Sequence, residues 1–401
     1  EEHAELMKLI AHLESVLGDE GMRYQIIKDE LLDIQKRFGD ERRSEIHYMA
    51  DEMRIEDLIE KEDVVITVSH LGYIKRTSSD EYRAQRRGGR GAMGGRTRAE
   101  DYIEHLCVAS THHMLMFFTE KGRCFWLKVY EIPEGDRNGK GRAIQNMIQI
   151  PPDDKIRTVI DVPGFDDEEF VNGHSVILCT RKGIIKKTRL EDFSRPRSTG
   201  VNAITIEEGD QLLDVSLCVD EKSYIMMAVR SGRAVCFEDE KVRHTGRGAI
   251  GVVGIELENA QDEVIGMICL PRTDTRKQIL VVSENGLGKR TPFLVPATEE
   301  EQKEEAGNLV KITAEDGTEQ YYVLSYRVTN RGGKGVKTMN ITDKTGALVG
   351  LLSVEEKDDL MITCESGVTI RMNVTTIRVA GRATQGVKLI NIDEGDKIAA
   401  I

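Results

Sequence analysis

The chain has 401 residues, of which 39% are hydrophobic and 31% charged, and it carries a formal net charge of −13. This length exceeds what one ordinary compact core accommodates, unless the chain is built from repeats. The sequence contains no run of about 18 apolar residues, which argues against a membrane span, and the net charge taken alone argues against an anionic partner.

The negative charge is concentrated in two segments. Residues 1–63 hold 19 acidic and 9 basic side chains, and residues 294–324 hold 8 acidic and 2 basic side chains. The rest of the chain carries a net charge of +3. It can therefore present basic surfaces, because local charge governs which partner a surface attracts.

Two helices are predicted at the start of the chain. Apolar residues recur with helical spacing over residues 6–17, stop at Gly18-Asp19, and recur again over residues 22–38. Both apolar stripes are narrow, which predicts packing against a partner segment outside this chain; a free amphipathic helix pair is the alternative. The start at Glu1-Glu2-His3 resembles a position inside a longer protein.

Beyond residue 63, short β-prone runs alternate with glycine turns at regular intervals. Hairpin turns are predicted at Gly72, Gly122, Gly183, Gly232, Gly286 and Gly367. A loop glycine follows each turn, at Gly91, Gly141, Gly200, Gly251, Gly335 and Gly386. Four of these separations are 19 residues, one is 17, and one is 49 because the acidic segment at about 294–324 is inserted there.

Six such units predict an all-β, six-bladed, propeller-like array that closes on itself. Trp126 is the only tryptophan, which disfavours WD40-type repeats. The strand connectivity does not follow from the sequence.

The segment Gln85-Arg86-Arg87-Gly88-Gly89-Arg90-Gly91, here called the box, mixes arginine with glycine and has nothing apolar to bury. Arginine presents a planar fork of donors that matches phosphate oxygens, and glycine lets the backbone approach a ligand closely. Residues 72–98 contain eight basic and two acidic side chains. The box is therefore predicted to bind an anionic polymer.

Basic residues return in the turns and loops of the other units, which places them on one rim of the array. They are Lys75, Arg76, Arg96, Arg98, Arg123, Lys128, Arg137, Lys140, Arg142, Lys186, Lys187, Arg195, Arg197, Arg243, Arg247, Lys289, Arg290, Arg331, Lys334 and Arg382. A positive rim predicts binding to the phosphate backbone of double-stranded DNA. No helix presents a base-reading face, so this binding is expected to be independent of base sequence.

Other patterns in the chain have simpler structural interpretations. Residues 89–94 and 246–251 match G-x-G-x-x-G, but no helical pattern follows either of them to bind a pyrophosphate. His112 and His113 are adjacent and point to opposite faces of a strand. The seven cysteines include no C-x-x-C pair, which predicts reduced thiols in a cytoplasmic protein. We predict no catalytic centre, no metal and no cofactor in this chain.

The box resembles the GyrA box of the C-terminal domain of DNA gyrase A, with Arg90 where lysine is more usual. Residues 62–75 and 128–134 resemble the first and second blades of that domain, and residues 1–40 resemble the last helices of the preceding cleavage domain. The resemblance implies a helical tail over residues 1–60 and a six-bladed β-pinwheel over residues 61–401. The acidic insertion at about 294–324 departs from the basic pattern, and we expect it to form a flexible loop at the fifth blade.

The family's function implies that this chain wraps double-stranded DNA around its positive rim and supports ATP-dependent negative supercoiling. The box is implied to latch the first blade to the last. The implied partners are DNA, the rest of gyrase A and, in the holoenzyme, gyrase B, in the bacterial cytoplasm at the nucleoid and without a membrane. The catalytic tyrosine region is implied to precede residue 1, so this part of the type II topoisomerase is expected to bind DNA without cutting it.

Two other functions are compatible with the sequence. A topoisomerase IV-type C-terminal domain has a related fold with a degraded box and steers substrate choice without strong wrapping. A propeller-like protein-interaction scaffold could instead dock acidic partners on its basic loops.

Overall fold

The computed structural model describes residues 1–40, 55–78, 92–93, 101, 103–136, 139–303, 309–313, 317–366, 368–393 and 395–401. They belong to two compact units, Glu1–Ile55 and Glu56–Ile401. The box (85–91) and the predicted rim residues Arg96, Arg98 and Arg137 lie outside the described residues.

The first unit contains the two predicted helices, α1 (Glu2–Gly18) and α2 (Glu20–Phe38). Asp19 separates them, and its carboxylate accepts a hydrogen bond from the Gly21 N–H at 2.8 Å, which caps α2. Neither helix has a buried residue. The apolar stripes are therefore exposed, and a partner segment that covers them remains a prediction. Among the described residues, no helix is long and apolar enough to cross a membrane.

The described residues of the second unit form short strands and two short α-helices, α3 (Glu168–Gly173) and α4 (Glu299–Lys303). In chain order its described strands are β1 (Asp63–Ser69), β2 (Tyr73–Ser78), β3 (Ala92–Met93), β4 (Ile103–Ser110), β5 (Met114–Thr119), β6 (Arg123–Lys128), β7 (Arg142–Ala143), β8 (Ile156–Val162), β9 (His174–Thr180), β10 (Ile184–Arg189), β11 (Val201–Asn202), β12 (Leu212–Val219), β13 (Ser223–Val229), β14 (Arg233–Glu238), β15 (Val252–Val253), β16 (Val264–Pro271), β17 (Gln278–Ser283), β18 (Leu287–Pro292), β19 (Leu294–Pro296), β20 (Leu309–Thr313), β21 (Glu319–Leu324), β22 (Val336–Lys337), β23 (Leu348–Val354), β24 (Asp359–Cys364), β25 (Val368–Asn373), β26 (Val387–Lys388) and β27 (Ile398–Ala400).

These strands form six four-stranded antiparallel sheets, which we call blades 1 to 6. Their strand orders are β4-β1-β2-β7, β8-β5-β6-β11, β12-β9-β10-β15, β16-β13-β14-β22, β23-β17-β18-β26 and β27-β24-β25-β3. Each blade has a hairpin of a first and a second strand, with an inner strand beside the first. The predicted six-bladed, all-β fold is confirmed.

The connectivity, which the sequence did not reveal, is an exchange of strands between neighbours. The two-residue outer strand of each blade comes from the chain segment of the next blade, so that β7, from the segment of blade 2, pairs with β2 of blade 1. The series closes on itself because β3, from the segment of blade 1, pairs with β25 of blade 6. The six inner strands together line a central cavity of about 500 Å³.

Apolar cores lie between consecutive blades. Five clusters of buried side chains join blades 1 to 6 in order; Ile66 and Phe117, for example, belong to the cluster between blades 1 and 2. Fully burying one such side chain contributes about 1.5–3 kcal/mol. In the described part of the chain, no sixth cluster joins blade 6 to blade 1. A cavity of about 280 Å³ lies there instead.

The expectation that the acidic insertion is a flexible loop is corrected by the structure. Its described residues include a three-stranded sheet, in the order β19-β21-β20. Val310, Ile312 and Tyr322 pack against the cluster between blades 4 and 5. The sequence interpretation missed this because it followed the insertion's eight acidic side chains and not the β-prone apolar residues between them.

Candidate nucleic-acid interface

In the described part of the chain, five loops occupy equivalent places around the ring, and we call them the outer loops. They comprise residues 134–141, 194–200, 243–251, 327–335 and 378–386, and each leads directly into the outer strand of the preceding blade. Four of them form a parallel bridge with the second strand of that blade, through the pairs Arg76–Glu134, Lys187–His244, Cys236–Val328 and Arg290–Val379. The repeat therefore brings the outer loops to one edge of the sheets.

All five outer loops end in a glycine with a positive φ, from +68° at Gly200 to +111° at Gly251. A side chain at Gly251 would place its Cβ 2.6 Å from the backbone oxygen of Ile185 in the preceding blade. Glycine is therefore required where the loop turns into the outer strand. This explains the regular spacing of loop glycines in the sequence.

Eight of the predicted rim residues are exposed on or beside the outer loops. They are Lys140, Arg142, Arg195, Arg197, Arg243, Arg331, Lys334 and Arg382. Arg331 is also fixed in place, since its guanidinium donates to the backbone oxygens of Lys241 and Val253, both at 3.1 Å. These cations are distributed over the segments of blades 2 to 6.

Four predicted rim residues are half-buried, and three of them are held by other groups. Arg76 lies 3.6 Å from the Glu134 carboxylate, and Lys128 lies 2.5 Å from Glu56. Arg123 donates to the backbone oxygen of Thr199 at 2.5 Å. Arg247, the fourth, is only partly exposed. Their positive charge contributes to the same edge, although part of it is neutralised locally.

Five predicted rim residues are buried, and their assignment as direct DNA contacts is corrected. They are Lys75, Lys186, Lys187, Lys289 and Arg290, with at most 7% of their surface exposed. They lie on second strands, which are covered by the first strand on one side and the outer loop on the other. Burial lowers the pKa of Lys186 and of Lys289 to about 8.

Lys187 belongs to a buried ion pair rather than to a binding surface. Its ammonium lies 2.7 Å from Asp239 and 2.8 Å from Asp220. Burial opposes its charge, but the two carboxylates outweigh burial and raise the pKa of Lys187 above its ordinary value. The pair links the second strand of blade 3 to the turn after the second strand of blade 4.

A Ser-His-Asp group next to this pair lacks the geometry of a catalytic triad. His244 Nε2 lies 2.9 Å from the Ser175 hydroxyl and 3.3 Å from the Asp220 carboxylate. The same nitrogen faces both partners, whereas a triad uses one ring nitrogen for each. Ser175 is also fully buried. The group anchors an outer loop.

The remaining chemical patterns lie in structural positions. His112 Nε2 meets the backbone oxygen of Ile59 at 2.8 Å, while His113 Nδ1 meets Asp161. Residues 246–251 lead into β15 and not into a helix. Within the described residues, no group of three or more His, Cys, Asp or Glu side chains could hold a metal ion.

Comparison with known proteins identifies the family. The family described as "DNA gyrase C-terminal domain, beta-propeller" matches residues 63–106, 113–163, 174–218, 225–271, 277–293, 324–355 and 358–401. The chain belongs to this family. The gaps in the match include most of the acidic insertion.

Individual gyrase relatives agree with this assignment. The DNA gyrase A protein of Deinococcus deserti is 41% identical over 399 residues, which are 99% of this chain and 45% of that protein. The chain thus spans under half the length of this relative. A solved structure of a DNA gyrase A C-terminal domain matches with a TM-score of 0.67 and 21% identity, covering 84% of this chain and 98% of that one. A topoisomerase IV C-terminal domain matches with a TM-score of 0.58 and 22% identity, covering 85% and 93%. Both structures support the assignment of the fold alone, because their sequence identities to this chain are low.

Among the described residues of this gyrase C-terminal domain, four exposed cations on outer loops and outer strands were missed by the sequence reasoning. Lys337 and Lys388 lie on the outer strands β22 and β26, two residues after the loop glycines Gly335 and Gly386, and Arg327 and Arg378 lie in outer loops. The repeated Gly-Val-Lys triplet was the signal that could have identified the two lysines.

Proposed function

We propose that this gyrase C-terminal domain binds double-stranded DNA without reading its sequence and wraps it along the edge formed by the outer loops. The observation that carries the proposal is the return of exposed cations at equivalent positions of successive blades. Within the gyrase A protein, together with gyrase B, such wrapping would support ATP-dependent negative supercoiling in the bacterial cytoplasm, at the nucleoid.

Successive phosphate contacts supply the energy that wrapping needs. Bending a short duplex by 40–90° costs on the order of 1–6 kcal/mol, so one basic patch is insufficient for a longer wrap. Outer loops on several blades distribute the contacts along the DNA. We propose that this surface also includes the box (85–91), Arg96 and Arg98 from the segment of blade 1, and Arg137 from the segment of blade 2.

Sealing nicked circular DNA with ligase in the presence of this domain tests the proposal, because chiral wrapping changes the linking number of the product. We expect a positive shift. The box variant R86A/R87A/R90A and the outer-loop variant R195A/R243A/R382A should both reduce it. The second variant should also flatten the dependence of log K on log [salt], by about 0.9 for each phosphate that is no longer neutralised.

A matched control removes three exposed lysines outside the outer loops, in the variant K182A/K222A/K344A. This control loses three positive charges, as each of the other two variants does, and should leave the linking-number shift intact. Salt-sensitive binding without a shift would favour the topoisomerase IV-type function. Absence of binding at moderate salt would refute the DNA proposal and favour a protein-interaction scaffold.

A further inference from the structure

Three of the six second strands carry the same Lys-basic-Thr triad at their third to fifth positions. The triads are Lys75-Arg76-Thr77, Lys186-Lys187-Thr188 and Lys289-Arg290-Thr291, in blades 1, 3 and 5. In blades 2, 4 and 6 the same positions hold Phe125-Trp126-Leu127, Val235-Cys236-Phe237 and Ile370-Arg371-Met372. The buried lysine is thus a feature of alternate blades.

Each of these lysines bonds to backbone oxygens in the outer loop of the following blade. Lys289 Nζ donates to the oxygens of Gly381 and Arg382, at 2.6 and 2.5 Å. Lys75 Nζ donates to Asp136 and Gly139 in the loop of blade 2, at 3.0 and 2.9 Å.

Lys186 Nζ donates to Arg247 in the loop of blade 4 at 2.7 Å, and to Ala203 beside β11 at 2.6 Å. Three independent sites therefore show the same contact.

The loops of blades 3 and 5 face strands with Phe125 and Val235 at the lysine position. They are held instead by arginines at the first position of those strands: Arg123 donates to the backbone oxygen of Thr199 at 2.5 Å, and Arg233 donates to those of Lys334 and Gly335 at 3.0 and 2.7 Å.

The bonds turn loop carbonyls inward and basic side chains outward. The backbone oxygen of Arg382 faces the buried ammonium of Lys289, while the Arg382 side chain is exposed. Thr291 adds a second bond, donating to the backbone oxygen of Ala380 at 2.9 Å. Thr77 does the same for Gly135 in the loop of blade 2, also at 2.9 Å.

Burying these charged side chains is unfavourable for the stability of the fold, which argues that the lysines have a role besides packing. Within the described residues, no carboxylate lies within 4 Å of the ammonium of Lys186 or Lys289. Burying an unpaired charge is unfavourable, and apolar side chains occupy the same position in the alternate blades. With a pKa of about 8, both ammonium groups still carry their charge at neutral pH.

We propose that Lys75, Lys186 and Lys289 are positioning residues for DNA, each holding the outer loop of the next blade so that its cations face the phosphate backbone. The inference rests on the proposed function and adds to it a distinction between two kinds of outer loop. Loops held by a buried lysine, on blades 2, 4 and 6, alternate with loops held by the partly exposed arginines Arg123 and Arg233, on blades 3 and 5.

Double-mutant cycles on DNA affinity test this assignment in a crossed design. The substitution R382M should weaken binding and lower the salt slope by about 0.9 in the wild-type background, and by clearly less when Lys289→Met has already released that loop. R243M, in the loop fastened by Lys186, should have the same effect with or without K289M. In the K186M background, R243M should have the reduced effect and R382M should have its full effect.

Hydrogen exchange supplies the structural arm of the test. K289M should accelerate exchange of amides in residues 378–386 and leave residues 243–251 unchanged. Should K289M fold poorly, K289Q, which retains a shorter donor, serves in the same cycle.

Additive effects in all four pairs, or equal coupling to both loops, would overturn the positioning role and leave a structural one. If the wild-type domain binds no DNA, the proposed function fails with it. If it binds but the cycles are additive, only the assignment of the lysines fails.

Discussion

Gly251 and Gly246 lie in the same outer loop but have different steric surroundings. Gly251 has a φ of +111° and its Cβ would approach the Ile185 oxygen to 2.6 Å, whereas a Cβ on Gly246 would meet nothing within 4 Å. We expect Gly251→Ala to destabilise the domain by on the order of 1–3 kcal/mol, since a strained backbone adds to the clash.

Gly246→Ala is the matched control and should change the free energy of unfolding by less than about 0.5 kcal/mol. Urea denaturation of the two variants measures the difference. Equal stabilities would show that the outer strand β15 shifts to accept a side chain, and that the loop glycine is dispensable.

Single residues also show how far the sequence could be interpreted. Lys186 and Arg195 both lie in basic runs of the chain segment of blade 3, yet Lys186 is buried and Arg195 is exposed. The sequence shows that a side chain is charged but not which way it points, so the rim prediction included both residues. The threonine two positions after Lys75, Lys186 and Lys289 does not separate the two classes, because the exposed Arg197, Arg243 and Arg382 are followed by a threonine at the same distance. Burial of these side chains depends on the loop that packs above the strand, which local sequence does not report.

Asp214 connects inner strands of neighbouring blades. It lies on β12 at a break in the pairing register, and its carboxylate accepts hydrogen bonds from the Val215 N–H at 2.8 Å and, in blade 4, from the Met267 N–H at 3.0 Å. The Thr158 hydroxyl of blade 2 lies 3.5 Å away. Burial outweighs these donors and raises the pKa of Asp214 to about 6.

The raised pKa of Asp214 predicts that ionisation of its carboxyl group destabilises the fold at neutral pH. The folded state binds the proton more tightly than the unfolded chain, whose aspartates titrate near pH 3.9. The stabilising contribution is therefore complete below about pH 3.9 and lost as the pH rises through about 6.

Asp214→Asn removes this titration. Its free energy of unfolding relative to wild type should rise between pH 4 and pH 7, by at most about 3 kcal/mol; Asp214 keeps some exposure to the central cavity, which reduces the effect. Urea unfolding across that pH range measures the difference. A difference that does not vary with pH would show that Asp214 titrates in the folded state as it does in water.

Elements differed in how well the sequence predicted them. The hairpins followed from glycine turns between β-prone runs, and five turn glycines, at 72, 122, 183, 232 and 286, do have a positive φ. The outer strands could not be predicted, because two residues such as Val252-Val253 carry no periodicity. Their pairing depends on a neighbouring blade, which local sequence cannot specify.

The ring as a whole has one junction unlike the others. Between blades 6 and 1 the described residues leave a cavity lined by Val65, Leu106 and Val108 on one side and by Leu360 and Met361 on the other. In the described residues, β3 connects the two blades at this junction, because its residues Ala92 and Met93 pair with Thr369 and Val368.

Removing that pairing should open the ring before it unfolds any blade. In the variant A92P/M93P, proline removes the backbone donors of β3. We expect faster hydrogen exchange at Val368 and Thr369 and a smaller linking-number shift in the ligation assay, because DNA wrapped past an open junction loses its continuous track.

The matched variant V252P/V253P removes the equivalent outer strand from blade 3. A buried apolar cluster that includes Ile177, Ile225 and Val235 joins blades 3 and 4 at that position, so the junction should stay closed and the shift should fall less. Five junctions keep their cores when an outer strand is removed, whereas the sixth has no comparable core in the described residues. Equal reductions in the two variants would show instead that outer strands act only within their own blades, and that ring closure contributes nothing particular to wrapping.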